Sequence, residues 1–532
     1  MAADEVLNQS PPYADVDLFA SDQPLQGIVA ANGAADEAAS LSAFGRHWGS
    51  AEMFEQARLA NESPPRLTGE RVIFHPAYHR FMAESVHAGL HASTWRADAT
   101  PALAPGQVVR AARFYMVAQV ENGHMCPVTM TRAAVAALAA EPALARALLP
   151  KILSRDYDSS FKPWTEKSGI TLGMGMTEKQ GGTDVRANTT RAERFGDSYR
   201  ITGHKWFMSA PMCDAFLVLA QAPGGLTCFF MSRFRPDGEL NGLNFQKLKD
   251  KLGNRSNASS EVEFEDAYAL RVGEEGRGIR TILQMVQLTR LDCAISSAGM
   301  MRAALARALH HCRHRSVFQK RLADQPMMRA VLADMALEVE AAAALVMRLC
   351  RSFDMNEAVR ARLLTPAIKY WVCKRAPAFI YEAMECLGGN GYVEDHGLAR
   401  LYREAPVNAI WEGSGNVMCL DVLRAMARDA DGCRAVLAEL VREAENRPGV
   451  TRAAANLMKI VAGASAESAA RGAVERLALI AAAAALQISV PGTVAEAFAR
   501  TRLAGERGAN LGANELSAAE TDVLLERALP VS

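Results

Sequence analysis

The spacing of hydrophobic positions changes several times along the chain. Residues 1–60 show no regular period and are punctuated by Pro, Asp and Gly, which predicts an irregular N-terminal arm. Residues 61–170 carry Ala and Leu at helical spacing, whereas residues 171–272 contain short runs of β-branched and aromatic residues separated by Gly, Asn and Asp. Helical spacing returns over residues 273–428 and continues through a further Ala-rich stretch, residues 429–532.

This order of elements predicts an α+β protein that is mostly α. We expect an N-terminal helical domain, a middle antiparallel β domain, a C-terminal helix bundle and an additional C-terminal helical domain, with boundaries where the spacing changes. The chain contains no internal repeat and no low-complexity tail that would favour another architecture.

Composition narrows the class of protein. The chain has 59 Lys and Arg residues and 59 Asp and Glu residues, so no net field draws it to nucleic acid or to an acidic membrane. Its 10 cysteines show no C-x-x-C motif and no Cys/His ligand spacing, which favours a reduced, cytoplasmic protein and predicts no metal site. The N-terminus has no apolar core typical of a signal peptide, and the run Ala481 to Leu486 is too short to span a bilayer, so no membrane partner is expected.

One loop of the predicted β block, residues 174–185, contains a glycine pair at 181–182. Glycine reaches positive φ without strain and lets the backbone approach a ligand closely. Successive N–H groups and the hydroxyls of Thr177 and Thr183 can then serve the polar edge of a flavin, where reduction builds negative charge. The alternative is a hairpin with a Gly-Gly turn, and the loop alone favours it. A dinucleotide fingerprint is excluded because Glu178 stands where the third glycine is required.

Two further segments favour the flavin-binding interpretation of the loop over the hairpin turn. Residues 203–209 (GHKWFMS) place an aromatic pair and a hydroxyl at a predicted strand end, and residues 410–416 (IWEGSGN) lie far downstream, where helices resume. With the loop, they resemble the acyl-CoA dehydrogenase family, in which a T-E-x-x-x-G-[ST]-D loop and a W-x-[ST] strand end hold the flavin and a Y/W-E-G turn supplies a base. Segments 273–278 (GEEGRG) and 385–392 (ECLGGNGY) support the match.

The resemblance extends over roughly residues 60–428 and points to one branch of the family. Segments 176–194, 248–264 and 401–426 are similar to the AidB-like branch, which is associated with the alkylation response. The length of the chain, its N-terminal arm and its C-terminal helices also fit that branch.

The resemblance implies FAD as the cofactor. It implies that the flavin ring rests on the glycine loop and the following strand end, through Met174, Met176, Thr177, Gly182, Thr183, Phe207, Met208 and Ser209. It implies that Arg315 and Phe318 reach the FAD of a neighbouring subunit. The remaining implied contacts are Glu385, Gly389, Ile410, Trp411, Gly413, Ser414 and Asn416.

Two of these positions depart from the family pattern. Gln319 follows Phe318 where the family often has Gly, which affects the local backbone. Glu385 stands where many relatives carry Gln, so a carboxylate would lie beside a pyrophosphate.

The resemblance assigns the catalytic base to Glu412. Such a base removes the α-proton of an acyl thioester while hydride leaves Cβ for flavin N5, and an apolar pocket that raises its pKa suits it to that proton. Some members of the family take the base from another helix, where this chain has Thr289, which cannot serve. Residues 121–127 and Met130 would line part of the acyl pocket. The alternative for Glu412 is a helix N-terminal carboxylate stabilised by the dipole.

The resemblance further implies a homotetramer, a dimer of dimers. It leaves three functions open: an acyl thioester dehydrogenase, a DNA-associated flavoprotein of the alkylation response, or a scaffold that retains FAD. Residues 427–532 hold 12 Lys and Arg residues against 13 Asp and Glu residues, a net charge of 12 − 13 = −1. Phosphate binding needs clustered positive charge, so we expect only weak, non-specific duplex DNA binding.

Overall fold

The computed structural model describes residues 7–444, 447–463, 466–505 and 508–530. Backbone contacts divide the chain into two compact units that alternate along the sequence. The helical unit comprises residues 1–54, 104–120 and 290–532, and the β-containing unit comprises residues 55–103 and 121–289. Two helices, α3 (Ala51–Glu62) and α8 (Gly278–His314), contribute residues to both units.

The β-containing unit combines a few helices with a short hairpin and a seven-stranded sheet. Its other helices are α4 (Pro76–His87), α6 (Met125–Leu138) and α7 (Pro142–Ile152). The hairpin consists of β1 (Arg66–Thr68) and β2 (Arg71–Ile73). The sheet consists of β3 (Leu172–Gly175), β4 (Arg191–Phe195), β5 (Ser198–Ser209), β6 (Ala215–Ala222), β7 (Gly225–Ser232), β8 (Leu243–Leu248) and β9 (Ser259–Val272).

The sheet has the strand order β3-β5-β4-β6-β7-β9-β8, with additional pairings of β3 with β6 and of β5 with β9. Most neighbours are antiparallel, which confirms the predicted antiparallel β domain, although β3 runs parallel to β6. The central strands β6 and β7 are buried almost throughout, which is why both read as nearly continuous apolar runs.

The helical unit holds the remaining helices and one two-stranded hairpin. Its helices before α8 are α1 (Gln23–Val29), α2 (Ala38–Trp48) and α5 (Gly106–Val117). Those after it are α9 (Pro326–Asp354), α10 (Ala358–Leu387), α11 (Gly389–Tyr392), α12 (Leu398–Asn408), α13 (Gly415–Arg428), α14 (Ala430–Glu443), α15 (Val450–Ala462), α16 (Ala470–Ser489), α17 (Gly492–Ala499) and α18 (Ala518–Ala528). The hairpin consists of β10 (Ser316–Val317) and β11 (Lys320–Arg321).

The core of the helical unit lies on α9, α10 and α16. Each is rich in Ala, Leu and Val whose side chains are buried. By length and hydropathy, α16 is the one described helix that could cross a membrane, but it is mostly buried within the protein, as core helices are.

The prediction of an irregular arm over residues 1–60 is wrong from Gln23 onward, where α1, α2 and α3 begin. The residues taken as breakers act as helix caps. Asp22 is the N-cap of α1 and accepts a hydrogen bond from the backbone of Leu25, and Gly49 is the C-cap of α2.

Helix α9 carries buried carboxylates that meet arginines from the end of the chain. Asp334 and Glu338 are fully buried and both contact Arg502, and Asp334 also accepts from the backbone N–H of Gly512 at 2.8 Å. Glu340, buried as well, pairs with Arg527 in α18. The C-terminal residues are therefore tied to the core of the helical unit by ion pairs.

Candidate functional site

The candidate residues are distributed over both units. In the β-containing unit, β3 and β5 bring together two segments that the sequence predicts to hold the flavin. Met174 lies opposite Ser209, and the next pair joins Gly175 to Met208. The backbone N–H of Trp206 donates to the carbonyl of Thr177 at 2.8 Å, which extends the pairing into the loop.

The loop after β3 is a tight turn that ends in the glycine pair. Glu178 and Gly181 exchange backbone hydrogen bonds of 3.3 and 3.0 Å, so Gly181 closes the turn and Gly182 follows it. A Cβ on Gly182 would lie 2.2 Å from Oγ1 of Thr177, which explains why glycine is needed there. Thr183 is exposed beyond this point, and the side-chain amide of Asn188 donates to the carbonyl of Met176.

A buried ion pair that sequence reasoning missed shapes this loop from beneath. Lys205 Nζ donates to Glu178 Oε1 and to the carbonyl of Leu219, both at 2.8 Å, and the side chains of the pair are fully buried. The other carboxylate oxygen accepts from the backbone N–H and the hydroxyl of Thr189. Burial alone would raise the pKa of Glu178, but Lys205 and these donors hold it well below its usual range. Lys205 stands in a strand with several other polar residues, so no pattern in the sequence marked the pair.

The end of β5 presents aromatic rings beside this loop. Phe207 is 50% exposed although it is large and apolar, while its neighbour Met208 is fully buried. Lys249 Nζ lies 3.5 Å from the centroid of the Trp206 ring and 4.5 Å from that of Phe207. The cation fixes both rings and leaves an aromatic face accessible.

In the helical unit, the turn between α12 and α13 holds Glu412 in a fixed backbone conformation. Glu412 has φ of +57° and Gly413 has φ of +100°. A left-handed conformation costs a non-glycine residue about 1–3 kcal/mol and persists only where the surrounding structure imposes it. Such strain at a candidate catalytic residue indicates that the surrounding structure determines its position.

Two cations impose that conformation by binding all three carbonyl groups of the turn. Lys369, whose exposure is 1%, donates from Nζ to the carbonyl oxygens of Trp411 at 2.7 Å and of Gly413 at 2.6 Å. Arg290 donates from Nε to the carbonyl oxygen of Glu412 at 3.0 Å and is itself held by Asp421 at 2.7 Å. The sequence analysis predicted a role for neither cation. Lys369 is a single charged residue in an apolar helical stretch, which is the signal that could have revealed it.

The residues after Glu412 form the start of α13. Ser414 is the N-cap, but its side chain makes no capping hydrogen bond, so the first N–H groups of this helix have no side-chain cap. Glu412 precedes the cap by two residues and lies outside the first turn, which weighs against its being an ordinary N-terminal carboxylate of the helix. Asn416 accepts from Arg471, and Ile410 is exposed.

Arg315 follows α8 directly and leads into the hairpin of β10 and β11. The loop of this hairpin consists of Phe318 and Gln319, with φ of +50° and +60°. Two successive positive φ values are typical of a type I′ turn, so Gln319 adopts a conformation that glycine reaches without strain. Phe318 at the tip is 96% exposed.

The remaining candidate residues lie at the end of α10. Glu385 is exposed, and its hydrogen bond raises the pKa of the Tyr381 hydroxyl. Gly389 begins α11, and an added Cβ would meet nothing within 4 Å, so its glycine is not required by packing within the chain.

The predicted lining of an acyl pocket contains a polar cluster in the β-containing unit. Glu121 Oε2 lies 2.6 Å from Nδ1 of His124, and the other His124 nitrogen lies 2.8 Å from the Ser85 hydroxyl. Ser256 donates to Glu121 Oε1 at 2.6 Å. Burial would raise the pKa of Glu121, but the His124 hydrogen bond and these donors hold it well below its usual range. Within the described ranges, no group of three or more His, Cys, Asp and Glu side chains could hold a metal ion.

Comparisons with known proteins agree along the chain. Residues 8–159 match the family model of the adaptive response protein AidB N-terminal domain. Residues 173–267 match the acyl-CoA dehydrogenase middle domain, and residues 276–427 match the acyl-CoA dehydrogenase C-terminal domain.

Three individual proteins illustrate the similarity. The chain is 50% identical over 439 residues to the putative acyl-CoA dehydrogenase AidB of Escherichia coli, covering 80% of this chain and 81% of that protein. It is 25% identical to Caenorhabditis elegans ACDH-11, solved in complex with C11-CoA, with a TM-score of 0.83 and coverage of 99% and 93%. An acyl-CoA dehydrogenase of Bacillus anthracis, complexed with FAD, shares the fold at 15% identity, with a TM-score of 0.68 and coverage of 99% and 89%.

Proposed function

We propose that this chain, which belongs to the acyl-CoA dehydrogenase superfamily and to its AidB-like branch, is an FAD-dependent oxidoreductase that acts on an acyl thioester. The observation that carries the proposal is the turn of Glu412, a carboxylate whose strained backbone is held by Lys369 and Arg290. The C11-CoA complex of the similar ACDH-11 supports an acyl thioester as the substrate class.

The residues present fit FAD by the chemistry of their donors. The pyrimidine edge of a flavin requires N–H and O–H donors, which the loop after β3, Thr177 and Ser209 would supply, while Phe207 would lie against the ring. The pyrophosphate requires cationic and N–H donors, which Arg315 and the start of α13 would supply. Bound FAD supplies the acceptor for hydride at N5.

The remaining roles, accepting the proton and positioning the base, fall to residues of the chain. Glu412 would accept the α-proton of the thioester on its carboxylate as hydride leaves Cβ. Lys369 and Arg290 would keep that carboxylate in position, because they fix the main chain of the turn that carries it.

We further propose a homotetramer, a dimer of dimers, located in the cytoplasm. Apolar and aromatic side chains that a single chain leaves in solvent support assembly, among them Phe318 at 96% exposure and Tyr392 at 83%. By resemblance, Phe318 belongs to a segment that reaches the FAD of a neighbouring subunit, and Tyr392 belongs to a second segment that matches the family.

A second candidate function is weak association with duplex DNA. Arg428, Arg442 and Lys459 are among the exposed basic residues of α13, α14 and α15. Other basic residues of the region are engaged, since Arg434 pairs with Asp431, Arg452 donates to the Ala504 carbonyl and Arg471 donates to Asn416. These exposed cations would bind phosphates without reading sequence.

The test is anaerobic titration of the yellow holoprotein with a panel of acyl-CoA thioesters, followed by flavin absorbance. We expect at least one thioester to reduce the flavin, and Glu412→Gln to abolish that reduction while FAD stays bound, because the amide cannot accept the proton. The matched control is Glu467→Gln, an exposed carboxylate outside the site, which should reduce at the wild-type rate. Full activity of Glu412→Gln would assign the base to another residue, and no reduction by any thioester would contradict the enzyme function.

A further inference from the structure

A residue near the N-terminus, Asn8, binds the outer edge of the β10–β11 hairpin. Ser316 and Arg321 lie opposite each other in a non-hydrogen-bonded pair of the hairpin, between two hydrogen-bonded pairs. The N–H and C=O groups of Ser316 therefore face away from the hairpin, and both bind the side chain of Asn8. The Ser316 N–H donates to Asn8 Oδ1 and Asn8 Nδ2 donates to the Ser316 carbonyl, each at 2.8 Å.

Asn8 also binds the side chain that precedes this strand. Arg315 Nη1 donates to the main-chain carbonyl of Asn8 at 2.8 Å. The left-handed conformation of Asn8, with φ of +62°, orients its carbonyl and its side chain toward adjacent residues of the hairpin. Three hydrogen bonds of one residue therefore fix both the main chain after Arg315 and the guanidinium itself.

The residues after Asn8 continue along the same surface, and we call residues 8–13 the N-terminal strap. Gln9 accepts from the Asn390 side chain at 3.0 Å, in the segment that follows α10. The Ser10 hydroxyl lies 3.1 Å from His311 Nδ1, and His310 Nε2 lies 2.8 Å from the Pro11 carbonyl. The strap thus contacts both the segment after α8 and the segment after α10, and the resemblance assigns cofactor contacts to each.

We propose that Asn8 is a positioning residue for cofactor binding, which holds Arg315 in the orientation that binds the pyrophosphate of FAD. This inference rests on the proposed function, because it takes Arg315 as a cofactor ligand. An arginine on a hairpin samples many rotamers, and fixing it before FAD arrives removes part of the entropy cost of binding. Asn8 itself would touch no cofactor.

The test is titration of the full-length apoprotein with FAD, followed by quenching of flavin fluorescence. Asn8→Gly removes the side-chain bonds and tolerates the positive φ, and we expect it to weaken FAD binding about fivefold, the worth of about one hydrogen bond. Asn8→Asp keeps the acceptor for Ser316 and should recover part of that loss. Asn356→Gly is the matched control, since Asn356 is also exposed with φ of +55°, and its affinity should equal that of wild type.

A double-mutant cycle separates positioning from a merely structural role. Arg315→Ala should weaken FAD binding, and adding Asn8→Gly to it should change the affinity less than twofold, because Asn8 acts through Arg315. Losses of FAD affinity that add in the double mutant would overturn the inference and leave the proposed function standing. The same holds if Arg315→Ala weakens FAD binding while Asn8→Gly binds FAD with wild-type affinity. Unchanged binding by Arg315→Ala would overturn the inference together with the cofactor role of Arg315. Thermal melting of the apoproteins should be equal, since Asn8 is exposed.

Discussion

Replacing Lys369 with methionine tests whether the buried lysine holds the catalytic carboxylate. Methionine keeps the length and the apolar stem of the side chain but donates no hydrogen bond. The change therefore leaves the carbonyl groups of Trp411 and Gly413 without their buried donor, while the bond from Arg290 to Glu412 remains.

The size of the effect follows from the two bonds. A hydrogen bond to a charged group contributes about 1.5–3 kcal/mol, so losing both removes about 3–6 kcal/mol of stabilisation from the turn. The left-handed backbone of Glu412 opposes these bonds with about 1–3 kcal/mol of strain. The strain is then no longer balanced, and the turn relaxes. Because a displacement of about 1 Å at a reacting group costs about 100-fold in rate, we expect flavin reduction to slow about 100-fold.

The assay is anaerobic stopped-flow reduction of the flavin by the thioester that reduces wild type fastest. The rate constant at saturation should fall, while the thioester affinity and the FAD content change little, because Lys369 is assigned to neither. Lys374→Met is the matched control, since Lys374 is an exposed lysine of the same helix. Reduction of Lys369→Met at the wild-type rate would refute the reasoning, as would an equal loss in the control.

Three further predictions concern stability, assembly and DNA. The pKa of Glu178 is lower in the folded protein than its unfolded value of 4.5, so the ionised carboxylate stabilises the fold. This stabilisation is fully present above pH 4.5 and is lost as the pH falls from there toward the folded pKa. Glu178→Gln should therefore lower the melting temperature at pH 7, by leaving Lys205 buried without its partner, and should weaken the acid dependence; an unchanged melting curve would contradict this. Light scattering of the holoprotein should give about four times the chain mass of 57.4 kDa, and Phe318→Ser should shift it to smaller species. Two unrelated duplexes should bind equally at low salt and weakly near physiological salt, whereas tight, selective binding at physiological salt would show a dedicated DNA function.

The fold could be predicted from the sequence where local spacing decides it. The spacing changes from helical to alternating apolar residues near residue 171 and back near 273, and the strands β3 to β9 lie between these points because both periods are local properties. The helices of the arm were missed because Asp22 and Gly49 read as breakers although they cap helices. The interleaving of the two units could not be predicted, since non-local packing leaves no period in the sequence.

The candidate site likewise contains residues that could be predicted from the sequence and residues that could not. Motifs such as the glycine loop and the W-E-G turn were visible because their residues are adjacent in sequence. Lys205, Lys369 and Asn8 were missed because each acts on a segment distant in the chain, and neither their type nor their spacing marks the partner.

The ion pairs of α9 have a consequence for how this chain can change over evolutionary time. The match to the acyl-CoA dehydrogenase C-terminal domain ends at residue 427, yet Asp334 and Glu340 within that domain pair with arginines beyond it. Deleting the terminal helices would leave these carboxylates buried without partners, at about 3–5 kcal/mol for each pair broken, and neutralising the carboxylates first would strand the arginines. Neither half can be lost by single steps without passing through a poorly folded intermediate. The C-terminal helices are therefore constrained by the carboxylates they pair with, independently of any function they serve.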